Sequence, residues 1–135
     1  MGNRTLRLSK TRAALINSLS AIATLSLASS AGLAAGDPAA GQQFFASHCS
    51  PCHATEPGAN KVGPSLASVV GRTSGSEPGY DYSPALKAAN IKWDEKTLDQ
   101  WLQNPTGDVH GTKMFISVPN AGDRQNVIAY LETLK

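Results

Sequence analysis

The sequence has 135 residues, 12 Lys and Arg against 10 Asp and Glu, and only two cysteines. Four of the basic residues (Arg4, Arg7, Lys10 and Arg12) crowd the first dozen positions, whereas residues 37–135 hold eight basic against ten acidic side chains, a formal charge of −2. The positive balance of the whole chain thus belongs to its N-terminus and argues against a nucleic-acid partner, and two cysteines cannot furnish a cysteine-rich zinc site.

No acidic residue precedes Asp37, and an apolar stretch from Ala13 to about Ala28 leads into a small-residue run from Ser29 to Gly36. Basic, apolar and small-residue segments in that order predict a Sec-type signal peptide over 1–36, cleaved between Ala34 and Asp37, and hence export to a bacterial periplasm. Asn17, Ser18, Ser20, Thr24 and Ser26 dilute the apolar stretch and make it a poor membrane-spanning helix. Its continuity argues against a mitochondrial transit peptide. About a hundred residues remain, enough for one domain with a small core.

Asp37-Pro38 pairs a helix-capping side chain with proline at the first helical position, and the predicted helix runs through Ala40, Phe44 and Phe45 towards the cysteines. There stands the most informative stretch of the chain, Cys49-Ser50-Pro51-Cys52-His53. Two thiols three apart on a helical turn share a face and can form thioethers to the two vinyl groups of one porphyrin. The adjoining His53 can then offer its Nε2 to the iron. A thioredoxin-like dithiol would require a βαβ setting that the sequence lacks. The simplest competing reading is a buried or disulfide-linked cysteine pair beside an unrelated histidine.

Between Ala54 and Tyr82 the composition turns to Gly, Pro, Ser and Thr without helical or strand period, and a prosthetic group would give so long a loop something to wrap. Ser83-Pro84 opens a short helix through Leu86 and Ala89. Asp94 caps another, with Leu98, Trp101 and Leu102 on one face and Pro105 as its end. A last helix is predicted from Ala121 to Leu134, with Val127, Tyr130, Leu131 and Leu134 as its apolar stripe. Strand signals are nearly absent, so the fold class is small and all-α.

Beyond residue 36 the chain has one methionine, Met114. A thioether is a soft ligand suited to the second axial position of a haem iron, although methionine in a small domain is more often core filler. His110 is its rival for that position. His48, directly before Cys49, cannot easily reach the opposite face of the ring and reads as a surface or partner-facing residue.

With these motifs in place, residues 37–135 resemble a class I cytochrome c, nearest the bacterial cytochrome c2 and mitochondrial types. The resemblance rests on Gly41 and Phe45 before the cysteines, Lys61-Val62-Gly63-Pro64-Ser65-Leu66, Gly71 to Gly75, Gly79 to Tyr82, Leu98 to Pro105, Gly111 to Met114, and Tyr130. It implies one haem c bound through Cys49 and Cys52, with long loops and a few helices wrapped around it. His53 and Met114 would be the axial ligands, and the Pro64 carbonyl would accept a hydrogen bond from His53 Nδ1. Arg72, Tyr82 and Trp93 would shield and hydrogen-bond the inner propionate, and Tyr130 would pack on Gly41 and Phe45.

The resemblance further implies a monomeric periplasmic carrier of single electrons, not an enzyme, with redox proteins as partners and no nucleic acid or stable membrane insertion. A dedicated electron-transfer subunit of a periplasmic dehydrogenase, or a ligand-binding or peroxidatic haem protein, are the alternative readings. Several positions depart from the family pattern. His48 replaces a common lysine, Thr106-Gly107-Asp108 stand where relatives carry a lysine cluster, His110 replaces a usual proline, and Trp101 replaces a tyrosine. A docking face ringed by lysines is thereby weakened to Lys61 and Lys113.

Overall fold

The computed structural model describes residue 2 and residues 35–135. The predicted signal peptide therefore falls almost wholly outside the described residues. Among the described residues there are five helices: α1 (Pro38–His48), α2 (Pro84–Ala89), α3 (Glu95–Gln103), α4 (Pro105–Asp108) and α5 (Ala121–Glu132). Among the described residues there is no strand, only an isolated antiparallel bridge between Thr73 and Lys92. No described helix is long and apolar enough to cross a membrane.

The caps anticipated from sequence explain where the helices begin. Asp37 accepts the Ala39 N–H ahead of Pro38, and Ser83 accepts the Leu86 N–H ahead of Pro84. In each case proline occupies a position whose N–H would have no intrahelical partner. Asp94 and Thr97 form a reciprocal capping box at α3, which explains why this segment of only nine residues is helical. Pro105 departs from the expectation. It follows the end of α3 and also starts α4, because Asn104 accepts the Gly107 N–H and so caps a second, short turn.

Helices α1 and α5 pack against one another and hold the two ends of the domain together. A Cβ placed on Gly41 would strike the Asn126 carbonyl and the Tyr130 Cβ, so only glycine permits this approach. The contact continues through the tilted Phe45 and Tyr130 rings, 5.4 Å apart, and through the Asp37 N–H bonded to the Asn126 side chain at 2.8 Å. α5 ends at Glu132, short of the expected Leu134, with Thr133 as its cap; its buried set is Arg124, Val127, Ile128 and Leu131, with Tyr130, and Leu134 just beyond the helix, half-buried. The stripe is thus rotated towards Arg124 relative to the sequence expectation.

The long segment 54–82 is irregular, as its composition suggests, but it is pinned at many points. Gly71 and Ser74 donate backbone N–H groups to Trp93 and Ile91, and Trp93 donates back to Arg72, all within 2.8 Å. Ser68 bonds to the Leu134 carbonyl, and beyond the methionine Val118 bonds to the Leu102 carbonyl in α3. These ties make the loops walls of a cavity instead of free excursions.

Candidate haem-binding site

The site begins where α1 runs out. Cys49 and Ser50 both donate to the Phe45 carbonyl, and Cys52 and His53 both donate to the Cys49 carbonyl at 3.0 and 2.9 Å. The chain therefore keeps turning through the motif, and both thiols and the imidazole line one cavity of about 350 Å³. The cysteines are not bonded to one another. Burial, then the neighbouring Cys52, pushes the Cys49 thiol up to about 11. A redox dithiol works through a lowered thiol pKa, so this pair lacks the electrostatics of one.

The segment after the motif folds back to hold the histidine. Gly63 donates to the Cys52 carbonyl at 2.8 Å and Leu66 to the Ala54 carbonyl at 2.9 Å. Ser65, fully buried, donates its hydroxyl to the Glu56 carbonyl at 2.6 Å and its N–H to the Asn60 side chain at 2.9 Å. Between them the Pro64 carbonyl lies 2.7 Å from His53 Nδ1. A carbonyl can only accept, so Nδ1 carries the proton and the Nε2 lone pair is left for a metal. Burial lowers the His53 pKa against the opposing pull of the Pro64 bond, and so favours the neutral imidazole that a metal requires. Gly63 lies flat against this ring, and a Cβ there would enter the imidazole.

The same cavity is lined by Pro64, Arg72, Tyr82, Trp93 and Met114, so every residue singled out for the cofactor from sequence is gathered at one place. Most of the remaining lining is apolar, including Leu66, Leu98, Trp101 and Leu102. Trp101 packs on Trp93 with ring centroids 5.4 Å apart. His110, by contrast, is exposed and does not line the cavity. His48 is exposed at the rim, with its ring stacked on Phe44 at 4.2 Å.

Three features escaped the sequence reading. Arg72 donates to the Ser65 and Ala67 carbonyls at 2.9 and 3.0 Å and pairs with the carboxylate of Glu77, which is buried. Glu77 sits in an aperiodic loop, where no pattern marks it for burial. Arg124 is also buried, bonding Asp99 of α3 at 2.7 Å and the Val118 and Pro119 carbonyls at 3.0 and 2.9 Å. It fastens the end of the Met114 loop to α3 and α5, and its charge disguised it as a surface residue. Last, Val62, Phe115 and Ile116 are exposed at the cavity rim although their side chains are apolar.

The donor set suits a haem: two unpaired thiols and an imidazole with a free Nε2 lie beside one another, facing an apolar chamber with a thioether in its wall. Among the described residues no group of three or more His, Cys, Asp and Glu offers an alternative metal site.

Comparison with known proteins agrees with this chemistry. The cytochrome c family model matches residues 38–135. The chain is 48% identical over 107 residues to cytochrome c2 of Rhodomicrobium vannielii, covering 78% of this chain and 85% of that protein. It is 46% identical over 101 residues to cytochrome c of Euglena viridis, covering 74% and 99%. Among solved structures, cytochrome cH from Methylobacterium extorquens superimposes with a TM-score of 0.67 at 43% identity, over 73% of this chain and 99% of that one. The chain belongs to the cytochrome c family, as a helical monohaem electron carrier, not an enzyme, whose one haem c is held covalently by Cys49 and Cys52.

Proposed function

We propose that this cytochrome is an exported, periplasmic, monomeric carrier of single electrons between a respiratory or dehydrogenase donor and an oxidase or similar acceptor, with His53 and Met114 as its axial ligands. The observation that carries the ligand assignment is that His53, its Nδ1 engaged by Pro64, and Met114 line one cavity, while His110 is exposed and does not line it. The haem supplies reversible one-electron chemistry. The chain's own residues fix the imidazole, present the sulfur and exclude water with apolar walls. Held by both His53 and Met114, the iron would have no vacancy for a substrate, which would suit a carrier. Thioether ligation also favours the reduced iron and so raises the potential.

Arg72, Tyr82 and Trp93 form the part of the wall assigned to a propionate. Arg72 contributes there chiefly by holding the Ser65–Ala67 backbone, since the Glu77 carboxylate already matches its charge. Tyr82 is buried beside it, and burial raises its phenol pKa, so the hydroxyl keeps its proton and remains a donor.

The test is the ferric absorption spectrum of the holoprotein. The weak long-wavelength band of sulfur-to-iron charge transfer is expected in the wild type and lost in Met114→Ala, with a fall in potential. A wild-type spectrum without the band, or a variant that keeps it, would overturn the ligand assignment. Sequencing the N-terminus of protein recovered from the periplasm tests export: a chain starting at Ala35, Gly36 or Asp37 is expected, and one that retains Met1 refutes cleavage.

A further inference from the structure

Glu77 is a buried acid for which the haem chemistry described above has no use. Its side chain is 8% exposed and does not line the cavity, but its carboxylate pairs with Arg72, which does. Its backbone reaches Tyr82 as well: burial raises the Tyr82 phenol, and a hydrogen bond with the Glu77 backbone opposes that rise. One residue of an aperiodic loop thus engages two of the three side chains in the wall assigned to a propionate.

The loop does not need this carboxylate to stay in place. Asn60 donates to the Pro78 carbonyl at 2.9 Å and accepts the Ser65 N–H at 2.9 Å, so neutral bonds already tie the segment after Glu77 to the one after Pro64. Nor is a buried ion pair a strong source of stability, because desolvating two charges offsets most of their attraction. What the pair does change is charge. Arg72 commits three of its five N–H donors within the chain, to Ser65, Ala67 and Glu77. Donors remain for an oxygen in the cavity, but the positive charge behind them is already matched. Lys113, the other side chain of fixed charge that lines the cavity, is paired with Asp81.

A ferric haem carries one more positive charge than a ferrous one. An unmatched guanidinium in the wall therefore favours the reduced state, and a matched one does not. We propose that Glu77 is a positioning residue that takes up the charge of Arg72 and so holds the reduction potential of this cytochrome below the value its pocket would otherwise give. The inference goes beyond the axial ligand assignment and needs only the haem in the cavity.

The holoprotein is equilibrated at pH 7 with the hexacyanoferrate couple, and the electron-exchange constant is read for the wild type, Glu77→Gln and the double variant Arg72→Gln/Glu77→Gln. The sulfur-to-iron band is recorded alongside. Glu77→Gln keeps the shape and an acceptor oxygen for Arg72 but removes the charge. It should shift the constant towards reduced cytochrome by about threefold to tenfold, since a charge in such a wall acts at an effective dielectric of about 20; tenfold is about 59 mV for one electron. The double variant removes no net charge and strands no ion, so its constant should lie within about twofold of the wild type.

A merely structural role would give the single variant the opposite sign, because a loosened pocket admits water and water favours the charged ferric form. A Glu77→Gln constant that is unchanged, or moved towards oxidised cytochrome, would overturn the proposal. So would loss of the band in that variant alone, which would make the carboxylate a prop of the methionine loop. Should Glu77→Gln fail to retain haem, the double variant decides, and a constant more than about threefold from the wild type would sink the idea. A wild type without the band brings down the ligand assignment and leaves this comparison standing.

Discussion

Arg124→Met removes the buried fork between α5, α3 and the end of the methionine loop while keeping a long apolar side chain in its place. Three hydrogen bonds are lost, to Asp99, Val118 and Pro119. They are not equal. Pro119 is exposed and its carbonyl rehydrates, and the Asp99 carboxylate is already 41% exposed and regains water. The Val118 carbonyl belongs to a residue only 4% exposed, so it bears most of the penalty of a buried acceptor without a donor. That penalty is about 1–3 kcal/mol, and a lost charge-assisted bond at a half-exposed acid adds roughly 1 kcal/mol. The total is about 2–4 kcal/mol, below the cost of stranding a fully buried ion. Urea unfolding of the holoprotein, followed by circular dichroism, should show it. With a slope of about 2 kcal/mol per molar, mid-range for a small domain, the midpoint falls by about 1–2 M. Because the broken ties lie on the loop and not between α1 and α5, the sulfur-to-iron band should disappear at lower urea than the helical signal. Arg124→Lys should be intermediate, since an ammonium cannot reach the acid and both carbonyls with the geometry of the fork. A midpoint unchanged in Arg124→Met, or a band and a helical signal lost together, would refute the reasoning.

Two further outcomes follow from the helix contacts and caps. Gly41→Val should destabilise the domain by at least about 2 kcal/mol, because its Cβ meets the Asn126 backbone and α1 must move off α5; a thermal midpoint unchanged from wild type would refute the close-packed crossing. At Asp94, hydrogen bonds from the Thr97 N–H and hydroxyl hold the carboxyl below its ordinary value. A lowered folded-state pKa means that the stabilisation is complete above the unfolded-state value, near pH 4, and is lost as pH falls through the folded-state value. Asp94→Asn keeps an acceptor for the Thr97 N–H but cannot titrate, so the wild-type advantage should shrink below about pH 4. Thermal midpoints measured from pH 7 to pH 3 check this, and parallel curves for the two proteins would refute it.

The local signals in the sequence were strong wherever a short-range rule applied. Asp37-Pro38, Ser83-Pro84 and Asp94 marked three helix starts because capping depends on neighbours within one turn. Cys49-Ser50-Pro51-Cys52-His53 marked the haem for the same reason: two thioethers and one imidazole must come from adjacent positions to reach one ring. Asn104 shows the limit of such rules. Its side chain caps a helical turn that the proline after it had appeared to forbid.

What the sequence by itself determined was chemistry carried by contiguous residues: the attachment motif, the helix caps, the all-α class, and the one methionine beyond residue 36 available as sulfur. Tertiary structure alone decided which distant groups meet. Arg124 and Glu77 are buried because partners from other segments satisfy their charges, which no local pattern records. Val62 and Phe115 share a rim because Tyr80 and Asp81 draw their segments together across the cavity mouth. The physical reason is that burial of charge and exposure of apolar surface depend on contacts between residues far apart in the chain, and periodicity reports only on neighbours.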